Sequence, residues 1–206
     1  MSFAQRFDEI IERRGATLPV KLSFHTAWLS LFVFVACSWY LSVTEFASAI
    51  VITNRALADT AMILIGLSFA LSGLCYFWNF LDTKIVYRKY LGLSGFAFAL
   101  GHGIMSGIFY FLWKPRGYEN NPIFILDHQW DFGAFLVPNQ YAFYSATVAI
   151  LIFAMMAVIS NQYAIHELGG VWWRRLLRVG YLAYIFGTIH FAIKNIPEWL
   201  VLFSSS

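Results

Sequence analysis

Two histidines, His102 and His190, sit inside long apolar runs, where an imidazole is costly to keep and a functional role is the default expectation. The other three sit elsewhere: His25 at the edge of an apolar run, His128 and His166 between runs. His102 follows Arg88 by 14 residues and His190 follows Arg178 by 12, roughly 21 Å and 18 Å along a helix. If both helices run the same way, the two rings reach a similar depth. Two imidazoles facing each other at one depth are what six-coordinate haem iron requires, four nitrogens coming from the porphyrin and two from the protein. Either histidine alone has a plainer explanation, a hydrogen bond to a neighbouring helix. The matched pair makes His102 and His190 candidate metal ligands.

The elements that must position them are membrane spans. The chain is 60% hydrophobic and 19% aromatic, with a mean hydropathy of +0.64. Its 12% charged residues compare with about 25% in soluble domains. Five apolar segments, at about 24–45, 57–80, 88–113, 142–160 and 174–194, have the length a bilayer demands. The expected fold is therefore an all-α integral membrane protein, a bundle of about five transmembrane helices. The net charge of +3 suits anionic lipid and does not suggest a nucleic-acid partner. Cys37 and Cys75 lie within apolar segments and read as buried thiols, not a disulfide framework.

Basic residues set the direction of the spans. Arg6, Arg13, Arg14, Lys21, Lys84, Arg88, Lys89, Arg174, Arg175 and Arg178 fall on one side, and Arg55, Lys114, Arg116 and Lys194 on the other. The ten belong in the cytoplasm, which predicts an inside N-terminus, an outside C-terminus, and third and fifth spans that both run outward. Residues 1–22 form a cytoplasmic N-terminal region in which Phe3, Phe7, Ile10 and Ile11 recur at helical spacing, a short amphipathic helix on the membrane surface. It lacks the apolar core of a cleavable signal. Residues 23–195 form the membrane domain, and 196–206 an external C-terminal tail.

Small residues accompany both histidines. Gly101, Gly103 and Gly107 surround His102, and Gly187 and Thr188 precede His190. They leave room for a flat macrocycle, although Gly103 and Gly107 also form a helix-packing motif in their own right.

Two stretches carry a resemblance. "RKYLGLSGFAFALGH" at 88–102 resembles the third-helix signature of the ferric reductase-like transmembrane domain superfamily, and "LGGVWWRRLLRVGYLAYIFGTIH" at 168–190 resembles its fifth-helix entry. In character the chain is similar to the haem-binding membrane subunit of the bacterial methionine-sulfoxide reductase system. The resemblance covers about 80–194. It implies haem b held by His102 and His190, a bacterial inner-membrane location, and a role as an electron-transfer subunit of a membrane oxidoreductase, not a complete enzyme. Members with two stacked haems carry a further histidine on each helix, at positions held here by Arg88 and Leu177. Neither can ligate iron, since arginine stays protonated and leucine has no donor atom. One haem is implied, at the outer level.

At the inner level Arg88, Lys89, Arg174, Arg175, Arg178, Trp172 and Trp173 form a basic, aromatic rim. Of these, Arg88, Arg178 and Trp173 are the candidate contacts for a flavin (FMN or FAD) or a quinone headgroup. The positive-inside rule and the aromatic belt would place the same residues there without any cofactor. Lys114, Arg116 and Lys194 are positioned to meet haem propionates, or simply to snorkel. The implied donor is a cytoplasmic flavin reductase or quinol, and the implied acceptor lies outside. No glycine-rich dinucleotide fingerprint occurs, so oxidation of NAD(P)H is not expected of this chain. The superfamily has six helices, which predicts a partner subunit or a second copy in place of the sixth.

The outer loop, 114–141, mixes apolar residues with Asp127, His128 and Asp131. It reads as an interfacial segment or a cap over the haem edge, and its Asp-His-x-x-Asp group has metal-ligand types without a recognised spacing. Two other classes compete with the redox reading. A small transporter would need polar residues spread over several spans; a non-redox scaffold subunit would use its histidines structurally.

Overall fold

The computed structural model describes residues 17–44, 48–78, 87–113, 129–131, 136–160 and 162–204. In chain order these form helices α1 (Thr17–Thr44), α2 (Ala49–Phe77) and α3 (Tyr87–Trp113), strands β1 (Gln129–Asp131) and β2 (Leu136–Pro138), and helices α4 (Asn139–Ile159), α5 (Gln162–Arg178) and α6 (Gly180–Ser204). Five stretches are long and apolar enough to cross a membrane: Val20–Thr44, Ala49–Cys75, Tyr87–Ile108, Tyr141–Ile159 and Val171–Lys194. The protein is an all-α membrane protein, as its hydropathy predicts. The expected amphipathic segment lies outside the described residues except for 17–22, which already belong to α1. Of the outer loop, residues 129–131 and 136–141 are described; 129–131 and 136–138 pair antiparallel with Trp130 opposite Val137, and 139–141 begin α4.

One boundary differs from expectation. The second span begins at Ala49, eight residues before 57, and so takes in Asn54 and Arg55 as well as Asp59. In the structure Asn54 is buried, and Arg55 and Asp59 stand half-buried four positions apart, on one face of α2.

The chain divides into two compact units, Met1–Ala99 and Leu100–Ser206. In the first, α1 and α2 pack together with small and hydroxylated residues inside. Thr26 and Ser30 are buried, as are Ala56, Thr60 and Leu64. The two α1 hydroxyls donate back along their own helix, Thr26 to the Leu22 carbonyl (2.8 Å) and Ser30 to that of Thr26 (2.7 Å), so both are satisfied away from water. The opposite stripe of α1 exposes Phe24, Trp28, Phe32, Val35, Trp39 and Val43. Small side chains inside and large apolar ones outside is the arrangement expected where lipid is the solvent.

Helix α3 joins this unit by close approach to α2. A Cβ on Gly95 would stand 2.6 Å from Ile65 Cγ1 and 3.0 Å from the Ile65 backbone nitrogen. Nearby, Ser68 Oγ donates to the Arg88 carbonyl at 2.8 Å. His25 Nδ1 and the Tyr87 hydroxyl, 3.2 Å apart, link α1 to the start of α3.

The second unit is built on α4 and α6, its most extensively packed pair. Alanines permit the approach: Ala142 and Ala183 are fully buried, and Ala149 nearly so. Ile150 of α4 fills the space beside Gly103 of α3, where a Cβ would come within 2.8 Å of Ile150 Cδ1. Helix α5 bends at Gly169, whose φ of 68° and ψ of 149° suit glycine alone. A single turn residue, Val179, then separates α5 from α6 within the fifth span. Backbone bonds from Val179 N–H to Leu176 O (3.0 Å) and from Leu182 N–H to Val179 O (3.0 Å) carry the ladder across it. The segment 196–206, expected as a tail, is helical through Ser204.

Candidate functional site

His102 on α3 and His190 on α6 both belong to the second unit. The structure brings them together: their ring centroids are 6.1 Å apart and their planes cross at 65°. Both are half-buried. A metal between two imidazoles, with bonds of about 2 Å and a ring centre roughly 1.1 Å beyond each ligating nitrogen, separates the centroids by roughly 6 Å. The observed spacing fits that requirement.

The protonation of one ring follows from its partner. His190 Nδ1 lies 2.8 Å from the carbonyl oxygen of Ala142. A carbonyl can only accept, so Nδ1 carries the proton and donates it. In the neutral ring Nε2 is then left with its lone pair, the form that binds a metal. A ligating histidine whose other nitrogen donates to a backbone carbonyl is the usual arrangement around a metal, because that bond fixes both the tautomer and the ring orientation. The same carbonyl also accepts from Ser145 Oγ at 3.0 Å.

The glycines near His102 divide by role. Gly103 is occupied in helix packing against Ile150, whereas Gly107 has no atom within 4 Å of where its Cβ would stand. Space for a flat group beside α3 is therefore open at Gly107 and filled at Gly103. Lys194, half-buried, follows His190 by one turn on the same side of α6.

Of the inner-level candidates, Arg88 falls in the first unit, Arg178 and Trp173 in the second. Arg178 is exposed. Trp173 has a clear structural partner: its indole N–H donates to the Ile159 carbonyl at 2.9 Å, satisfying one of the orphan acceptors at the end of α4. Beside it, the Arg175 guanidinium stacks 5.0 Å from the Trp172 ring centroid, both residues being exposed. Trp173→Phe should cost about 1 kcal/mol, read as a lower midpoint of unfolding in mild detergent; an unchanged midpoint would mean that the Ile159 carbonyl finds another donor.

His128, Asp127, Lys114 and Arg116 lie outside the described residues. Cys37 and Cys75 are half-buried thiols with no disulfide between them. Among the described residues no group of three or more His, Cys, Asp or Glu side chains is placed to hold a metal ion. A two-ligand haem site needs no such group.

Sequence reasoning missed Ala142 and Ser145, which carry the hydrogen bonding behind His190. It missed as well the register that joins α4 to the helices after it. From 142 to 159 and from 173 to 190 the chain advances by the same 17 residues, so the bonds Ala142–His190 and Ile159–Trp173 tie the two ends of α4 to matching points on the antiparallel return.

No protein-family model matches the chain, and no curated protein aligns with it significantly. The likeness to the ferric reductase-like superfamily rests on the two stretches at 88–102 and 168–190.

Proposed function

We propose that the chain is a membrane cytochrome b in which His102 and His190 are the axial ligands of a single haem b. The observation that carries this reading is the imidazole pair itself: centroids 6.1 Å apart, with His190 Nδ1–H committed to Ala142 so that Nε2 is available to iron. When bound, the haem supplies a one-electron couple. The chain's part is to hold the two rings in line, to keep their surroundings apolar, and to fix the His190 tautomer.

In this reading electrons pass from a cytoplasmic flavoprotein or quinol to an acceptor outside a bacterial inner membrane, with the N-terminus in the cytoplasm. The excess of basic residues on one side of the spans supports that orientation. For a flavin or quinone at the inner level, Arg178 and Trp173 of the second unit are the candidate contacts, the Trp173 N–H being already engaged; Arg88 is a candidate from its place in the sequence. The chain acts as an electron-transfer subunit, and a partner or a second copy completes the helix bundle.

A specific observation also suits a scaffold subunit. The bond from His190 to Ala142 ties α6 to α4 whether or not a metal is present. Haem content separates the two readings. Pyridine haemochrome absorbance of protein expressed with ample haem should give about one haem per chain, the count expected of one bis-histidine site. A value near zero would leave the scaffold; a value near two would require ligands beyond His102 and His190.

A further inference from the structure

We infer that the Ser145 hydroxyl tunes the redox potential of the site by sharing the Ala142 carbonyl with His190. The inference rests on the reading of His190 as an axial ligand. Two side-chain donors converge on one oxygen: Ser145 Oγ at 3.0 Å from within α4, and His190 Nδ1 at 2.8 Å from α6. Ala142 is fully buried and Ser145 nearly so, which keeps water from substituting for either donor. Serine back-bonding along its own helix is common and is structurally neutral in most places. Here the accepting carbonyl is the one that orients a candidate ligand, and that gives the hydroxyl a second effect.

The chemistry follows from what a shared acceptor does. Each hydrogen bond draws electron density from the carbonyl oxygen, so the Ser145 bond weakens the oxygen as an acceptor for His190. In a buried site such polarisation is not damped by solvent. A weaker Nδ1–H···O bond leaves the imidazole with less anionic character and makes Nε2 a poorer donor to the oxidised metal, since hydrogen bonding at the distal nitrogen raises ligand basicity. The ferric state is then less stabilised and the potential stands higher than it would without the hydroxyl. Ser145 thus acts through Ala142 and His190, without touching the cofactor, as a positioning residue.

Equilibrium potentiometric titration of the full-length, haem-loaded chain in nanodiscs tests this, on wild type, Ser145→Ala and Ser145→Thr, with haem per chain measured on the same samples. Ser145→Ala should keep its haem and shift the midpoint to more negative potential. Ser145→Thr, which restores a hydroxyl able to back-bond, should return it to the wild-type value. Haem retained at an unchanged or more positive midpoint in Ser145→Ala would overturn the proposal while leaving the ligand reading intact. So would a Ser145→Thr midpoint that matches Ser145→Ala, or loss of haem from Ser145→Ala, which would mean that the hydroxyl holds the site together and does not tune it. A wild-type chain without haem would remove this proposal together with the function it rests on.

Discussion

A His190→Ala chain should reach the membrane and carry less than about a tenth of the haem of the parent. Loss of an outer partner behind a metal ligand alone costs 10–100-fold in affinity, and His190 is itself the ligand in this reading. The fold should tolerate the change. The substitution removes one hydrogen bond to Ala142, worth about 1 kcal/mol, and leaves that carbonyl with its bond from Ser145. His102→Ala should give the same loss, because in this reading the two rings share one metal. Membrane-fraction yield and haem per chain, measured together, separate a missing ligand from a misfolded protein. Millimolar imidazole added to His190→Ala provides a second check, since a ring diffusing into the vacated volume should restore part of the absorbance. Stoichiometric haem in either variant would sink the assignment, and a parallel loss of protein and haem would return both histidines to a structural role.

The largest effect on stability is expected at Gly95. A Cβ there would stand 2.6 Å from Ile65 Cγ1, 3.0 Å from the Ile65 nitrogen and 3.2 Å from the Ala61 carbonyl oxygen. Two of these three atoms are backbone, so no rotamer change relieves the contact and α2 and α3 must separate. Gly95→Ala should cost about 1–3 kcal/mol, and Gly95→Leu should exceed it and prevent purification of a monodisperse protein. Gly107→Ala is the control. It meets nothing within 4 Å, and alanine's better helix propensity, up to about 1 kcal/mol, should leave stability unchanged or raised. The order of unfolding midpoints should be Gly107→Ala, wild type, Gly95→Ala. A Gly95→Ala midpoint equal to wild type would show that the two helices adjust at no cost.

What the sequence made legible follows from what it encodes strongly. Long apolar runs gave five spans because the bilayer imposes their length, and His102 and His190 stood out as the two histidines set deep within those runs. The second span starts eight residues earlier than expected, because Asn54 and Arg55 interrupt the apolar run in sequence, whereas in the structure both lie in the helix and Asn54 is buried. Gly103 and Gly107 look equivalent in a linear motif, and only the position of Ile150 distinguishes them. Ala142 could not be foreseen. Its contribution is a backbone carbonyl, which every residue possesses, and its selection depends on how α4 lies against α6. The joint at Val179 was hidden for a related reason: Val171–Lys194 is apolar enough on average to read as one span whether or not the backbone turns.

The equal spacing of the two ties between α4 and its return bears on how such a sequence can change. Trp173 anchors one end and His190 the other, and the same 17 steps separate them as separate their acceptors. The arrangement works as a caliper: the Trp173 end sets how far along α4 the imidazole arrives. Deleting one residue anywhere between 174 and 189 would turn His190 by about 100° and draw it back by about 1.5 Å, away from both Ala142 and His102. Substitutions at the exposed positions of that interval are buffered by lipid, but length is not. Lineages that descend from this chain should accumulate residue changes at those positions while keeping Ala183 small, and should gain or lose residues there only when α4 changes by the same number.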